Sequence, residues 1–240
     1  MIKQIALAGM LLLVGMAFGQ EVIAHWDFSK GKIDSADRKF KMRFRGNTRI
    51  SGPEGKQYLD VGINNKEKPE GIIALEEYPE LTPKGAFRLE VKARLRERTS
   101  NKDYMVLWDN NYILNLWGPH KTNPNSKKGL IVYLIRSKDG KFRPHASFGF
   151  AESLDAVCGY PIALEENQVF TLALEYDGVK KVSFFLDGKL NRTTAVKKGG
   201  PLAQAVYPLV IGDRYKSNYN RFDGQILKVK LTALPTTEKN

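Results

Sequence analysis

The stretch Gln168–Arg192, QVFTLALEYDGVKKVSFFLDGKLNR, decides the fold. Its first half places Phe170, Leu172, Leu174 and Tyr176 on one face and Thr171, Ala173 and Glu175 on the other. That period of two marks a half-buried strand. Asp177-Gly178 then supplies a tight turn, because glycine takes positive φ without penalty. Lys181 to Leu186 is β-branched and aromatic and ends in a second turn, Asp187-Gly188. Asp-Gly turns between such runs are strong hairpin signals. The stretch therefore predicts a three-stranded antiparallel meander. Phe170–Tyr176 should pair with Lys181–Leu186, with Phe170, Leu172 and Leu174 buried.

Working outward, the same pattern recurs. Val22 to Phe28 reads as the first strand, with Val22, Ala24, Trp26 and Phe28 facing the core. Short strands are expected at Phe40–Phe44, Thr48–Ile50 and Tyr58–Val61. Phe87 to Leu95 alternates between an apolar face and a charged one, Arg88, Glu90, Lys92, Arg94 and Arg96. Tyr104 to Trp117 reads as two aromatic-rich strands around Asp109-Asn110-Asn111. Leu130 to Arg136 is apolar on both faces, as in a central strand, and Asp139-Gly140 turns it back into Phe142 to Phe150. Ala151 to Gln168, broken by Gly159 and Pro161, reads mostly as loop, and Leu209–Gly212 and Gln225–Leu231 close the chain. No stretch carries a helical stripe. Roughly a dozen short strands with frequent turns predict an all-β sandwich. The absence of βα alternation argues against a doubly wound nucleotide-binding fold.

Residues 1–19 have the form of a signal peptide: Lys3, an apolar run from Ile5 to Val14, and the small-x-small site Ala17-Phe18-Gly19. The run is short of the ~20 residues of a membrane span. The expectation is a secreted or periplasmic chain from Gln20, a sandwich over 20–234, a polar tail at 235–240, and no membrane span after cleavage. Cys158 is the only cysteine, which excludes an intramolecular disulfide and a multi-cysteine zinc site. The formal net charge of +12 becomes +11 without Lys3. Such a charge favours polyanionic partners, which outside the cytoplasm include acidic or sulfated polysaccharides.

The ordered pieces VIAHWDF, Asp34-Ser35, QYLDVG, FTLALEYDG, VSFFLDGKL, PLVIGD and RFDGQILKVKL together resemble the laminin-G-like, concanavalin A-like lectin/glucanase superfamily, across Val22 to Leu231. The resemblance implies a jelly roll of two curved antiparallel sheets whose concave face commonly binds glycans. Many members carry an acidic residue after the closing Ile. This chain instead reads Ile226-Leu227-Lys228-Val229 and lacks that carboxylate.

Hydrolases of the superfamily that retain configuration need two carboxylates about 5–5.5 Å apart. The nearest pattern here, Glu175-x-Asp177, lacks its second Glu, and Asp177 belongs to a turn. Glu76-Glu77 and Glu165-Glu166 are adjacent pairs that point apart if extended. His25, His120 and His145 have no partners at metal-ligand spacing. No glycine loop suited to phosphate is present, and no specific nucleic-acid partner is expected. Calcium is the one candidate cofactor, with Asp27, Asp34, Asp213 and Asp223 as candidate ligands from the first and last segments.

The aromatic set Tyr104, Trp108, Tyr112, Trp117 and Tyr133 is the candidate glycan surface, and at least half of it is expected to be core. The candidate site is Trp108, Asn115, Trp117, Tyr133, Arg136 and His145, with rings to stack on sugars and polar groups to orient them. The expected function is a non-catalytic carbohydrate-binding or adhesion module for a polysaccharide, acidic or sulfated. The alternatives are a glycoside hydrolase or polysaccharide lyase of the same superfamily, and an envelope scaffold for another protein.

Overall fold

The computed structural model describes residues 20–62, 69–96, 104–110, 127–215 and 221–235. It is an all-β sandwich of two antiparallel sheets. One sheet runs β13 (Lys189–Ala195), β12 (Lys181–Leu186), β11 (Val169–Tyr176), β6 (Phe87–Leu95), β15 (Gly224–Ala233), β4 (Tyr58–Val61) and β3 (Arg49–Ser51). Its eighth strand, β1 (Glu21–Asp27), pairs with β15. The other sheet runs β10 (Leu154–Cys158), β9 (Phe142–Phe150), β8 (Lys128–Arg136), β7 (Tyr104–Asp109), β14 (Val210–Ile211), β5 (Ile72–Ala74) and β2 (Met42–Phe44). Helix among the described residues amounts to 3-10 turns at Phe28–Lys30 and Pro79–Leu81 and the 3-10 residue Lys127. None is long and apolar enough to cross a membrane.

The meander forms as expected. β11 pairs with β12 in the register Leu172↔Leu186, Leu174↔Phe184 and Tyr176↔Val182, and Phe170, Leu172 and Leu174 are buried. At the first turn, Asp177 Oδ1 accepts the amides of Val179, Lys180 and Lys181 at 2.8, 2.8 and 2.9 Å. The second turn is tighter. Asp187 and Gly188 take φ of 49° and 77°, so a two-residue connection with positive φ at both positions brings Leu186 opposite Lys189.

The core lies between the sheets. Trp26 of β1 meets Trp108 of β7 edge to face, centroids 6.1 Å apart, and both are fully buried. Buried tyrosine needs a partner for its hydroxyl, and Tyr176 finds one in the carbonyl of Gly200 at 2.7 Å.

Two expectations need correction. Val22, expected on the core face, is exposed, because a register shift between Val22 and Ala24 breaks the alternation of β1. Ala151–Gln168 contains a strand, β10, whose five residues pair along the edge of β9 before Gly159 ends them. The segment from Tyr104 continues as strand only to Asp109; the second strand expected there lies outside the described residues, as do residues 1–19 and most of the polar tail.

Candidate functional site

The outer face of an antiparallel sandwich sheet is ordinarily polar. On β7 and β8 of the seven-stranded sheet it is aromatic and apolar. On β8, Leu130, Val132 and Leu134 face the core while Ile131, Tyr133 and Ile135 face outward. Register then aligns residues of four strands in a row: Val106, Tyr133, His145 and Cys158. The next row is Tyr104, Ile135 and Arg143.

Three rings of these rows stack. Tyr104 and Tyr133 lie 4.3 Å apart at 24°, and Tyr133 and His145 lie 5.2 Å apart at 16°. Burial pushes the Tyr104 phenol up, with the Tyr133 ring beside it adding to the shift. Burial, then the Arg143 charge, pushes the His145 imidazole down to about 4. At neutral pH that ring is uncharged, with one donor nitrogen and one acceptor nitrogen.

Beyond Cys158 the surface opens. Gly159 donates to the Pro144 carbonyl at 2.9 Å, and Tyr160 follows, 58% exposed. Residues of β13, the edge of the opposite sheet, reach across to it. The amide of Tyr160 donates to Asn191 Oδ1 at 2.8 Å. The Arg192 guanidinium carbon sits 5.0 Å from the Tyr160 ring centroid, and its Nη1 donates to the Cys158 carbonyl at 3.3 Å. Glycine at 159 lets Asn191 and Pro144 approach the backbone, since a Cβ there would lie 2.5 Å from Asn191 Oδ1 and 2.7 Å from Pro144 Cγ. The result is an exposed ring clamped at the seam of the two sheets, with the Arg192 guanidinium against it and the Asn191 amide at its backbone.

Of the residues expected at the site, Tyr133 and His145 are brought together and Tyr133 is nearly buried in the stack. Trp108 is corrected to the core. A bulge between Val106 and Trp108 aligns it with core-facing Val132, so it presents no surface to a ligand. Arg136 shares the parity of Leu134 rather than Tyr133 and lies over the Phe142 ring at 5.8 Å, away from the stack. Asn115, Trp117 and Tyr112 lie outside the described residues. Arg143, Tyr160 and Arg192 are not among the site residues expected from the sequence. The alternation of Phe142–Phe150 carries a signal for Arg143, since it shares the face of His145.

The four aspartates considered for calcium do not form one site. Asp27 caps the turn at Ser29, and Asp34 accepts the Met42 amide and Lys41. Asp223 is bridged by Arg96 at 3.1 Å. Asp213 is fully buried and accepts the amides of Glu70 and Arg214, both at 2.7 Å. Burial pushes its carboxyl up to about 6 despite those bonds. Among the described residues no group of three or more His, Cys, Asp or Glu is placed to hold a metal ion. Glu175 is ion-paired to Arg88 at 2.6 Å, so it and the turn-forming Asp177 are both engaged structurally.

No protein-family model matches this chain, and no curated protein matches it. Solved structures do. The binding domain of botulinum neurotoxin serotype D/C VPI 5993 aligns with a TM-score of 0.64 at 11% identity, over 91% of this chain and 50% of that one. Domain 4 of AbnA, a GH43 extracellular arabinanase from Geobacillus stearothermophilus solved with arabinotriose, aligns with a TM-score of 0.58 at 12% identity, over 91% of this chain and 95% of that one. A structure of botulinum neurotoxin type C, whose cell entry depends on two ganglioside molecules, aligns with a TM-score of 0.62 at 11% identity, over 89% and 48%. This chain thus spans about half the length of the neurotoxin chains it matches. The likeness is one of fold, a β-sandwich.

Proposed function

We propose that the protein is an exported, non-catalytic carbohydrate-binding module of laminin-G-like type, with its glycan site around Tyr160 and Arg192 at the seam, beside the strand that carries Arg143 and His145. The observation that carries this reading is the Tyr160 ring, exposed and held by Arg192 at 5.0 Å. A flat ring offers its face to the C–H groups of a sugar, and a few fixed polar groups set orientation. The neutral imidazole of His145 exchanges hydrogen bonds with hydroxyls without the desolvation cost of a charge. The arabinotriose held by the arabinanase domain, which this chain covers almost end to end, supports a sugar ligand on this fold. An array of neutral and acidic oligosaccharides probed with the chain from Gln20 onward tests the reading. Binding to a defined group of glycans is expected, and an array with no bound glycan contradicts it.

A further inference from the structure

We propose a second site, on the opposite face of the sandwich, that binds the sulfate groups of a sulfated polysaccharide. On the outer face of the eight-stranded sheet, Lys92 of β6 and Lys228 of β15 stand directly opposite each other. Like charges so placed oppose pairing. Arg94 follows on the same face, its guanidinium carbon 5.8 Å from the Tyr58 ring centroid and its Nε donating to Gln225 Oε1 at 2.7 Å. Lys92, Lys228, Arg94 and Tyr58, with Lys56 and Gln57, line a groove of ≈ 440 Å³.

Most carboxylates near these cations are engaged elsewhere, while Asp27 stands opposite Lys228 across β1 and β15. Arg96 holds Asp60 at 2.7 Å and Asp223 at 3.1 Å. Arg88 holds Glu90 at 3.3 Å. Asp27, the single carboxylate lining the groove, accepts from the Ser29 amide and hydroxyl. Lys56, Lys92, Arg94 and Lys228 thus stand against one carboxylate. The positive field reaches the next row: after burial, the Lys228 charge is the largest influence lowering the pKa of His25. A groove with ammonium groups facing one another, and four cations to one carboxylate, suits a polymer whose anions repeat along its length.

This site is independent of the Tyr160 seam, and the test separates the two. Binding of dextran sulfate, uncharged dextran and polyphosphate is measured across a salt series. The variants are Lys92→Ser/Lys228→Ser, a control Lys180→Ser/Lys197→Ser that removes the same charge at the far end of the meander, and Tyr160→Ala. Expected is wild-type binding to dextran sulfate in preference to polyphosphate, weakened at least tenfold by Lys92→Ser/Lys228→Ser. The slope of log affinity against log salt should fall by about two, one released counterion per lysine. The control pair and Tyr160→Ala should keep most of the affinity. Equal loss in both lysine pairs would reduce the effect to net charge and overturn the proposal. So would tighter binding of polyphosphate, or no binding of dextran sulfate.

Discussion

Tyr133 and His145 stand opposite each other on β8 and β9, and their rings stack 5.2 Å apart on a sheet face that points away from the core. β8 packs against the opposite sheet on one side and carries this aromatic row on the other.

The imidazole in that row gives a pH prediction. Its pKa lies at about 4 in the fold against 6.5 for the free group. Between those values the unfolded chain binds a proton that the fold does not. Its contribution is therefore fully present above pH 6.5 and is lost as pH falls toward 4, by on the order of 3 kcal/mol. Asp213 acts with the opposite sign, because its carboxyl is pushed up to about 6 and the fold holds the proton longer than the unfolded chain does. The stability difference between wild type and His145→Phe, from urea midpoints, should shrink as pH falls from 6.5 to 4. Parallel profiles would contradict this.

Trp108 tests the core rather than the site. It is fully buried against Trp26, so Trp108→Ala should cost about 3–5 kcal/mol in chemical denaturation. At a temperature where the variant remains folded, its glycan affinity should match wild type. A selective loss of binding with stability unchanged would return Trp108 to the binding surface.

The first meander turn is held by one carboxylate oxygen. Asp177→Ala removes the acceptor of three amides and should cost about 1–2 kcal/mol. Gly178→Ala should cost more than about 1 kcal/mol, since φ is +79° and the added Cβ would sit 2.8 Å from the Ala86 amide nitrogen. Midpoints of thermal unfolding check both, and neither change should alter which glycan is bound.

The meander, the alternation of β6 and the double-faced β8 were legible because side-chain period and Asp-Gly turn chemistry are local. What escaped was set by register. One bulge redirected Trp108, and another exposed Val22, without a mark in composition. The seam escaped for a different reason. Tyr160 and Arg192 are 32 positions apart, on edges of different sheets, and meet only because β10 and β13 come together there. The opposed Lys92 and Lys228 likewise follow from how β6 pairs with β15, which neither strand discloses alone.

The central claim is that a glycan is held by the clamped ring of Tyr160. Its most direct test is calorimetric titration, at high salt, of a glycan retained on the array into wild type, Tyr160→Phe and Tyr160→Ala, with folding checked by circular dichroism. The account predicts wild-type-like affinity for Tyr160→Phe, which keeps the ring, and a loss of at least about tenfold, roughly 1.4 kcal/mol, for Tyr160→Ala. Undiminished affinity in a folded Tyr160→Ala protein would contradict it.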